Sequence, residues 1–152
     1  MITAYLAVIL PVMLMFSALG LDYGRAYVLK HQLQAACDAA SLAGSSAVSA
    51  KLITDGTGSV TNKKLLLDPI IAEARATDVW NQNVSSMKFI DKGVTIVDTS
   101  NHSALDEDSD GYLDAYKWGV TAKIQSYIAG PISGMGNHIT VTRVAISKAK
   151  DT

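Results

Sequence analysis

Cysteine is almost absent from this sequence, since Cys37 is the one cysteine among 152 residues. A single thiol cannot close a disulfide within the chain, and neither a CxxC metal motif nor a CxxCH haem motif is present. Cys37 lies among alanines in a predicted helix, where we expect a small, buried packing residue. A disulfide framework and a cysteine-ligated metal or haem site are therefore excluded.

The chain also lacks an excess of either charge. Its 13 lysines and arginines nearly balance 14 aspartates and glutamates, which leaves a formal net charge of −1. Binding to nucleic acid usually requires a basic surface, so we expect no nucleic-acid partner. His31, His102 and His138 are scattered, with no nucleophile motif, phosphate-binding loop or metal triad beside them. We therefore expect a protein that is not an enzyme.

Charged residues are missing entirely from the first 21 residues, MITAYLAVILPVMLMFSALGL. In a helix, this length covers about 31 Å, the thickness of the hydrocarbon core of a bilayer. A cleavable signal peptide would have a basic start and a shorter apolar run, and the helical pattern would not continue beyond it. Pro11 is tolerated where lipid or neighbouring helices surround a helix. The segment therefore predicts a helix that spans a membrane or lies in the core of an assembly.

The helical pattern continues past Leu21 to about residue 50 as an amphipathic helix. A stripe of apolar residues recurs at three- and four-residue spacing, and its side chains become smaller along the chain: Leu29, Leu33, Ala36, Ala40, Ala43 or Gly44, and Ala47. Small side chains allow close approach of a sheet or a second helix. We expect one face of this helix to pack on the rest of the chain and another on neighbouring copies.

We predict that residues 51–152 fold into a single small globular domain, which we call the head. Residues 51–66 are rich in Gly, Thr, Asn and Lys and indicate a loop, and Asp68-Pro69 then starts a helix that extends to about Asn83 around a core residue, Trp80. Alternating side chains predict strands over Ser86–Asp91, Gly93–Asp98, Ala115–Ser126 and His138–Lys148. The expected fold class is α+β: a long helix in residues 1–50, packed on a head with one further helix and three or four mostly antiparallel strands.

Acidic residues are concentrated in one segment of the head, Asp106–Asp114, with the spacing D-x-D-x-D-G-x-x-D. The three alternating aspartates converge if the loop curls, and Gly111 supplies the bend with positive φ. Such hard oxygen ligands favour Ca²⁺ over transition metals. We therefore predict a structural Ca²⁺ site in loop 106–114, with these ligands: Asp106, Asp108, Asp110, the Tyr112 carbonyl and Asp114.

The end of this loop departs from a full EF-hand. Its twelfth position is Lys117 instead of a bidentate glutamate, so the loop is closer to the dockerin or thrombospondin-repeat type. A further ligand is expected from Asn101, His102 or Ser103, or from a neighbouring chain. The alternative is a solvated acidic turn, although five acidic groups within nine residues repel one another when no cation is bound.

The N-terminal segment resembles the TadE/TadG-like proteins of the tight-adherence (Flp) branch of type IV pilus systems. The residues that carry the resemblance are Leu10-Pro11 in the apolar run, the D-x-G-R motif of Asp22–Arg25, and LQAACDAASLAG over Leu33–Gly44. Gly136–Ser147 is similar to the closing strand of the family. The resemblance implies a surface-assembly protein whose N-terminal helix lies in a membrane or in the core of a filament.

The resemblance also implies partners. Such proteins are made with a short basic leader that a prepilin peptidase removes, and a pilus assembly machinery then moves them from the inner or cytoplasmic membrane to the cell surface. No leader precedes Met1, so we expect the sequence to represent the mature form. Type IV pilins usually carry glutamate at the fifth mature position, whereas this chain has Tyr5. The alignment of each copy against its neighbour in an assembly would therefore depend on packing and hydrogen bonds.

Together these features predict a structural subunit of an extracellular Tad-type pilus that polymerises through its N-terminal helix. One alternative is a minor pseudopilin that primes or caps the pilus. Another is a single-pass, membrane-anchored, calcium-dependent adhesin of a Tad system. A homopolymer predicts that the face opposite the head contacts is apolar or small along the whole of residues 1–50, whereas a lone anchor would become polar just past residue 22. The Leu29–Ala47 stripe favours the polymer, but packing on the head alone would also account for it.

Overall fold

The computed structural model describes residues 2–87, 93–127 and 136–150 of the chain. The helices and strands, in chain order, are α1 (Ile2–Ser45), β1 (Val48–Thr54), β2 (Val60–Leu67), α2 (Pro69–Ser86), β3 (Val94–Asp98), β4 (His102–Leu105), β5 (Ala115–Gln125) and β6 (His138–Lys148). All the strand pairs in this part of the chain are antiparallel. The predicted α+β class, with a long N-terminal helix and one further helix, is confirmed.

Helix α1 runs without a break through Pro11 but ends at Ser45, short of the predicted end near residue 50. The hydroxyls of Ser45 and Ser46 donate to the carbonyls of Leu42 and Ala43, so these serines satisfy carbonyls of the last turn. The Arg75 guanidinium donates to the Ser46 carbonyl and places a cation at the helix C-terminus. The chain then enters β1, three residues beyond α1.

The region predicted as a loop over residues 51–66 is instead a hairpin of β1 and β2, so that prediction is wrong. The Asp55 carboxylate closes its turn by accepting hydrogen bonds from the backbone N–H groups of Thr57 and Ser59 and from the Thr57 hydroxyl. Gly58 has a φ of +82°, a conformation that glycine adopts at little cost. Most hairpin residues are exposed on both faces, so the alternating pattern that signals a strand is missing.

Strand β5 is the centre of a four-stranded sheet. It pairs with β6 along its full length, and on its other side with β3 and β4. The strands predicted at Gly93–Asp98, Ala115–Ser126 and His138–Lys148 correspond to β3, β5 and β6, whereas β4 was not predicted. The prediction of a strand starting at Ser86 is wrong, because α2 continues to Ser86; residues 88–91 of that strand lie outside the described residues.

Both helices pack on one face of this sheet. The sheet contributes alternate residues of β5: Tyr116, Trp118, Val120, Ala122 and Ile124. The α1 stripe is buried against them at Leu29, Leu33, Ala36, Ala40 and Gly44, and α2 adds Ala72, Ala76 and Trp80. The predicted stripe and the predicted core position of Trp80 are therefore confirmed. The opposite face of the sheet is largely exposed, as is common for antiparallel sheets.

Helix α1 approaches the sheet closely at Gly44. A Cβ added to this glycine would lie 2.6 Å from Cγ of Tyr116 and closer still to its Cδ1. The Tyr116 ring therefore occupies the space of the missing side chain. This contact explains why the stripe narrows from leucine to alanine to glycine toward the C-terminal end of α1.

Candidate functional site

The N-terminal half of α1 extends beyond the head as an uncovered apolar rod. Every residue from Ile2 to Ser17 is exposed, including large side chains such as Tyr5 and Phe16. Helix α1 is long and apolar enough to cross a membrane. An apolar surface of this size on a folded chain indicates contact with lipid or with other protein.

Side chains of the D-x-G-R motif, Asp22–Arg25, contact the head just beyond this rod. Asp22, only 5% exposed, accepts a hydrogen bond of 2.8 Å from the Ser126 hydroxyl and one of 3.4 Å from the backbone N–H of Tyr127. The Arg25 guanidinium lies 4.6 Å from the centroid of the Tyr127 ring. A buried carboxylate is costly unless it is hydrogen-bonded, so Asp22 ties α1 to the end of β5.

Sequence reasoning had identified Asp22 and Arg25 only as part of a family motif. The local signal for a structural role was present, because Asp22 is the first charged residue after 21 uncharged ones. Its partners, Ser126 and Tyr127, are more than 100 residues away in the chain, and no local pattern connects them to it.

The acidic loop brings three of the predicted ligands together. One carboxylate oxygen from each of Asp106, Asp108 and Asp110 lies within 4.8 Å of the other two. The Asp106 carboxylate accepts hydrogen bonds from the backbone N–H groups of Asp110, at 3.2 Å, and Gly111, at 2.8 Å. Gly111 has a φ of +85°, which confirms the predicted positive-φ bend. The loop therefore curls around the first aspartate.

The Asp114 carboxylate, in contrast, forms an ion pair with Lys148. Its Oδ2 lies 2.8 Å from Nζ of Lys148, and its Oδ1 accepts from the backbone N–H of Glu107 at 3.2 Å. The hydrogen bond to Asp114 raises the pKa of Lys148 above its usual range. Asp114 and the three clustered aspartates thus lie in one loop but have different partners.

A second lysine, Lys64 of β2, forms an ion pair with Asp110. This hydrogen bond lowers the pKa of the Asp110 carboxyl. The same ammonium lies 4.8 Å from the centroid of the Tyr112 ring, and Lys51 of β1 lies 5.3 Å from it. Lysines therefore offset part of the repulsion that motivated the calcium prediction, although two ion-paired lysines face five carboxylates.

The suggested extra ligand His102 has other partners. Its Nδ1 lies 2.8 Å from the Thr99 carbonyl oxygen and its Nε2 lies 3.4 Å from a Glu73 carboxylate oxygen. Its ring stacks on Trp118, with 4.9 Å between centroids. The Asn101 side chain lies against Gly119 of β5. The loop's own carboxylates, rather than these two side chains, are the candidate ligands.

Comparison with known families identifies the N-terminal segment of the chain. Residues 1–50 match the model of the Flp pilus-assembly TadE/G-like family. The match covers α1 and the first residues of β1, and it confirms the resemblance that the sequence indicated. No curated protein and no solved structure matches the chain. The matched segment associates the chain with the Flp/Tad pilus system.

Proposed function

We propose, from the TadE/G-like character of residues 1–50, that this chain is a structural subunit of an extracellular Tad-type pilus. The observation that carries the proposal is the uncovered apolar half of α1, from Ile2 to Ser17. In water this surface is strongly unfavourable, and packing against the helices of other copies removes it from solvent. Head-to-tail packing that does not close into a ring produces a filament.

Exposed apolar residues beyond the membrane-length run favour the filament over a lone anchor. Tyr23 is 76% exposed and Leu42 is 64% exposed, and Tyr27 and Val28 are exposed between them. These residues follow Asp22, so a bilayer that holds the uncharged run leaves them in water. A lone anchor has no use for apolar surface at this place, whereas neighbouring subunits in a filament would cover it.

The proposed life cycle has two stages. The subunit is first held in the inner or cytoplasmic membrane by its apolar segment, after a prepilin peptidase has processed it. The pilus assembly machinery then transfers it to the filament, where neighbouring helices replace lipid at the cell surface. In this scheme the chain is structural and not an enzyme, and it has no nucleic-acid partner.

Electron microscopy of material sheared from cells tests this proposal. The sheared fraction is purified, imaged and identified by mass spectrometry, with a deletion strain and a complemented strain as controls. Regular filaments in which this chain is the main protein support the proposal. Recovery of the chain from membranes alone, in cells that otherwise make pili, contradicts it.

The second candidate function is a minor pseudopilin or a membrane-anchored, calcium-dependent adhesin of the same system. The observation that favours it is the carboxylate cluster of Asp106, Asp108 and Asp110. We propose that these side chains bind Ca²⁺ in a structural role, completed by the Tyr112 carbonyl and by Asp114 once Lys148 has released it. The ion would stiffen the segment before β5.

Thermal melting of the full chain in detergent, with Ca²⁺ or a chelator, tests the metal proposal. We expect Ca²⁺ to raise the melting temperature and the chelator to reverse the rise, because an ion that binds only the folded state stabilises it. Asp108→Asn should abolish the shift, and Mg²⁺ serves as the control ion. An unchanged melting temperature for the wild type at millimolar Ca²⁺ contradicts a calcium site.

A further inference from the structure

We infer that a groove beside Gly20 and Gly24 binds the apolar helix of a second copy of this chain. The inference rests on the proposed filament function and specifies which surface receives the neighbouring subunit. The groove, of about 360 Å³, runs along α1 where the helix meets the edge of the sheet. Leu21 and Val28 of α1 line one side, and Val94 of β3 and Ile124 of β5 line the other.

Nothing in the described part of one copy explains these two glycines. Glycine in a helix interior costs about 1 kcal/mol relative to alanine. At Gly44 the close approach of Tyr116 accounts for this cost, but a Cβ on Gly20 or Gly24 would meet nothing within 4 Å. Because the two glycines are four residues apart, they lie on one face of α1 and leave a flat floor there. A partner that approaches the α1 backbone closely would explain both.

The chemistry of the groove selects an apolar, uncharged occupant. Of the described residues that line it, Arg25 alone is charged, and its guanidinium lies over the Tyr127 ring. The groove extends from Gly20 to Leu29, about 13 Å along the helix, and about 10 Å of this length lies beyond Asp22, the first charged residue. Two head strands form its outer wall. A bilayer around the uncharged run therefore leaves most of the groove uncovered by lipid, and a protein segment is needed.

The segment that fits is present in every copy. Residues 2–17 of α1 are exposed, uncharged and helical, with large side chains such as Leu6, Leu10 and Phe16 that can project toward a glycine floor. A copy seated with this segment in the groove leaves its own groove open for the next copy. The contact is heterologous and does not require closure, as a filament needs. The offset between successive helices along their axes is about 20 Å, from the middle of the segment to the middle of the groove.

Photocrosslinking in assembled material identifies the occupant directly. The probe is Val28→p-benzoylphenylalanine in the full chain, coexpressed with a second, differently tagged wild-type copy. We expect a crosslink from position 28 to residues 2–21 of the other copy, identified by mass spectrometry. The control is Lys123→p-benzoylphenylalanine on the exposed face of β5, which should give no crosslink to that segment. Crosslinks from position 28 to lipid alone, or to a different protein, overturn the inference.

Filling the groove tests its role in assembly. Gly24→Leu should abolish filaments or reduce them at least tenfold, and the smaller Gly24→Ala should reduce them less. Gly56→Leu, at an exposed glycine in the β1–β2 turn, should leave filament yield unchanged. The melting temperature of each variant in detergent shows whether the head is folded, and we expect Gly24→Leu to melt no lower than wild type. Normal filaments from a folded Gly24→Leu variant overturn the inference but leave the proposed function standing, whereas absence of wild-type filaments overturns the proposed function itself.

Discussion

Individual side chains explain the close contact between α1 and the sheet. The Tyr116 ring fills the space next to Gly44, and Tyr116 itself is only 1% exposed. Its hydroxyl, together with the indole N–H of Trp118, has no hydrogen-bond partner among the described residues. The side chains at this contact are therefore closely packed, but two of their polar groups lack a hydrogen bond among the described residues. One substitution tests each of these two properties.

Gly44→Ala should destabilise the protein. The added methyl group overlaps the Tyr116 ring, and overpacking of this kind costs about 1–3 kcal/mol. Chemical unfolding in detergent, followed by tryptophan fluorescence, measures the change in the free energy of unfolding. Gly56→Ala, where a Cβ meets nothing within 4 Å, is the matched control and should change little. Equal stability of the two variants would contradict the tight contact.

Tyr116→Phe should stabilise the protein by about 1 kcal/mol at neutral pH, because a buried hydroxyl without a partner carries a desolvation cost. Burial, reinforced by the charge of Glu73, raises the pKa of Tyr116 to about 12. Since the folded-state pKa is above the ordinary value, ionisation of the phenol opposes folding, so stability is unaffected by this ionisation below pH about 10 and falls as the pH rises toward 12. The phenylalanine variant should therefore lose less stability over that interval. Melting curves between pH 8 and 12 provide the comparison, and a parallel decline of both proteins would argue against a buried phenol.

Lys148→Met should strengthen calcium binding several-fold if Asp114 is a ligand. The substitution removes the ammonium that holds the Asp114 carboxylate and also lies 3.5 Å from Asp108. Isothermal titration calorimetry with Ca²⁺ measures the dissociation constant. Lys123→Met removes an exposed positive charge from the outer face of β5 and controls for net charge. Weaker binding in the Lys148 variant would exclude Asp114 from the metal site.

At the scale of elements, the β1–β2 hairpin is the part least supported by the core. Most of its residues are exposed, and its middle is held to the acidic loop by Lys64, which pairs with Asp110. At its tip, the Asp55 carboxylate organises the turn. The hairpin is therefore stabilised mainly by polar contacts, and its stability should depend on pH and salt more than that of the core.

Acid should loosen this turn before the core unfolds. Hydrogen bonds from the Thr57 side chain, and then from the backbone of Thr57 and Ser59, lower the pKa of Asp55. A lowered folded-state pKa means that the contribution is complete above the ordinary carboxyl pKa and is lost as the pH falls through the folded value. Amide NMR signals of Thr57 and Ser59 should therefore shift below pH about 4 while β5 signals stay constant. Asp55→Asn should abolish the pH-dependent shift, and a shift that survives in this variant would have another cause.

The elements that the sequence predicted share one property, which is that a single face is buried. In α1, β5 and β6 this produces a clear period of three to four or of two residues, and in α2 the Asp68-Pro69 start signal adds to it. The hairpin has no buried face along most of its length, and β4 has only four residues, all half-buried. For these strands, pairing with distant segments decides the structure, and the local pattern carries little information about it.

The acidic loop illustrates the same limit for the candidate site. The D-x-D-x-D-G spacing predicted the bend at Gly111 and the convergence of three aspartates, because both follow from neighbouring residues. The lysines that pair with the loop come from β2 and from the end of β6. Their positions depend on the fold of the whole head, so reasoning from the loop alone could not include them.

At the scale of the whole molecule, the chain has two parts with opposite solvent requirements. The head buries its own core, which begins on α1 at Leu29, while the apolar rod of residues 2–17 is uncovered. A variant that begins at Asp22 keeps the carboxylate that bonds Ser126 and all of the buried stripe. It should be monomeric without detergent and should fail to enter filaments. Size-exclusion chromatography with light scattering gives the mass, and tryptophan fluorescence reports on the core; stable oligomers of this variant would show that the head itself drives association.

The two ends of the head are fixed relative to the rod. Asp22 bonds Ser126 at one end, and the Ser45 and Ser147 hydroxyl oxygens lie 3.0 Å apart at the other, close to the strand positions that flank the acidic loop. The helix between these contacts is about 35 Å long. If the rod lies in a bilayer, as we propose, the acidic loop lies at the far tip of the head, well beyond the lipid headgroups. A dye or antibody fragment directed to this tip would report the height of each subunit above the membrane before assembly begins.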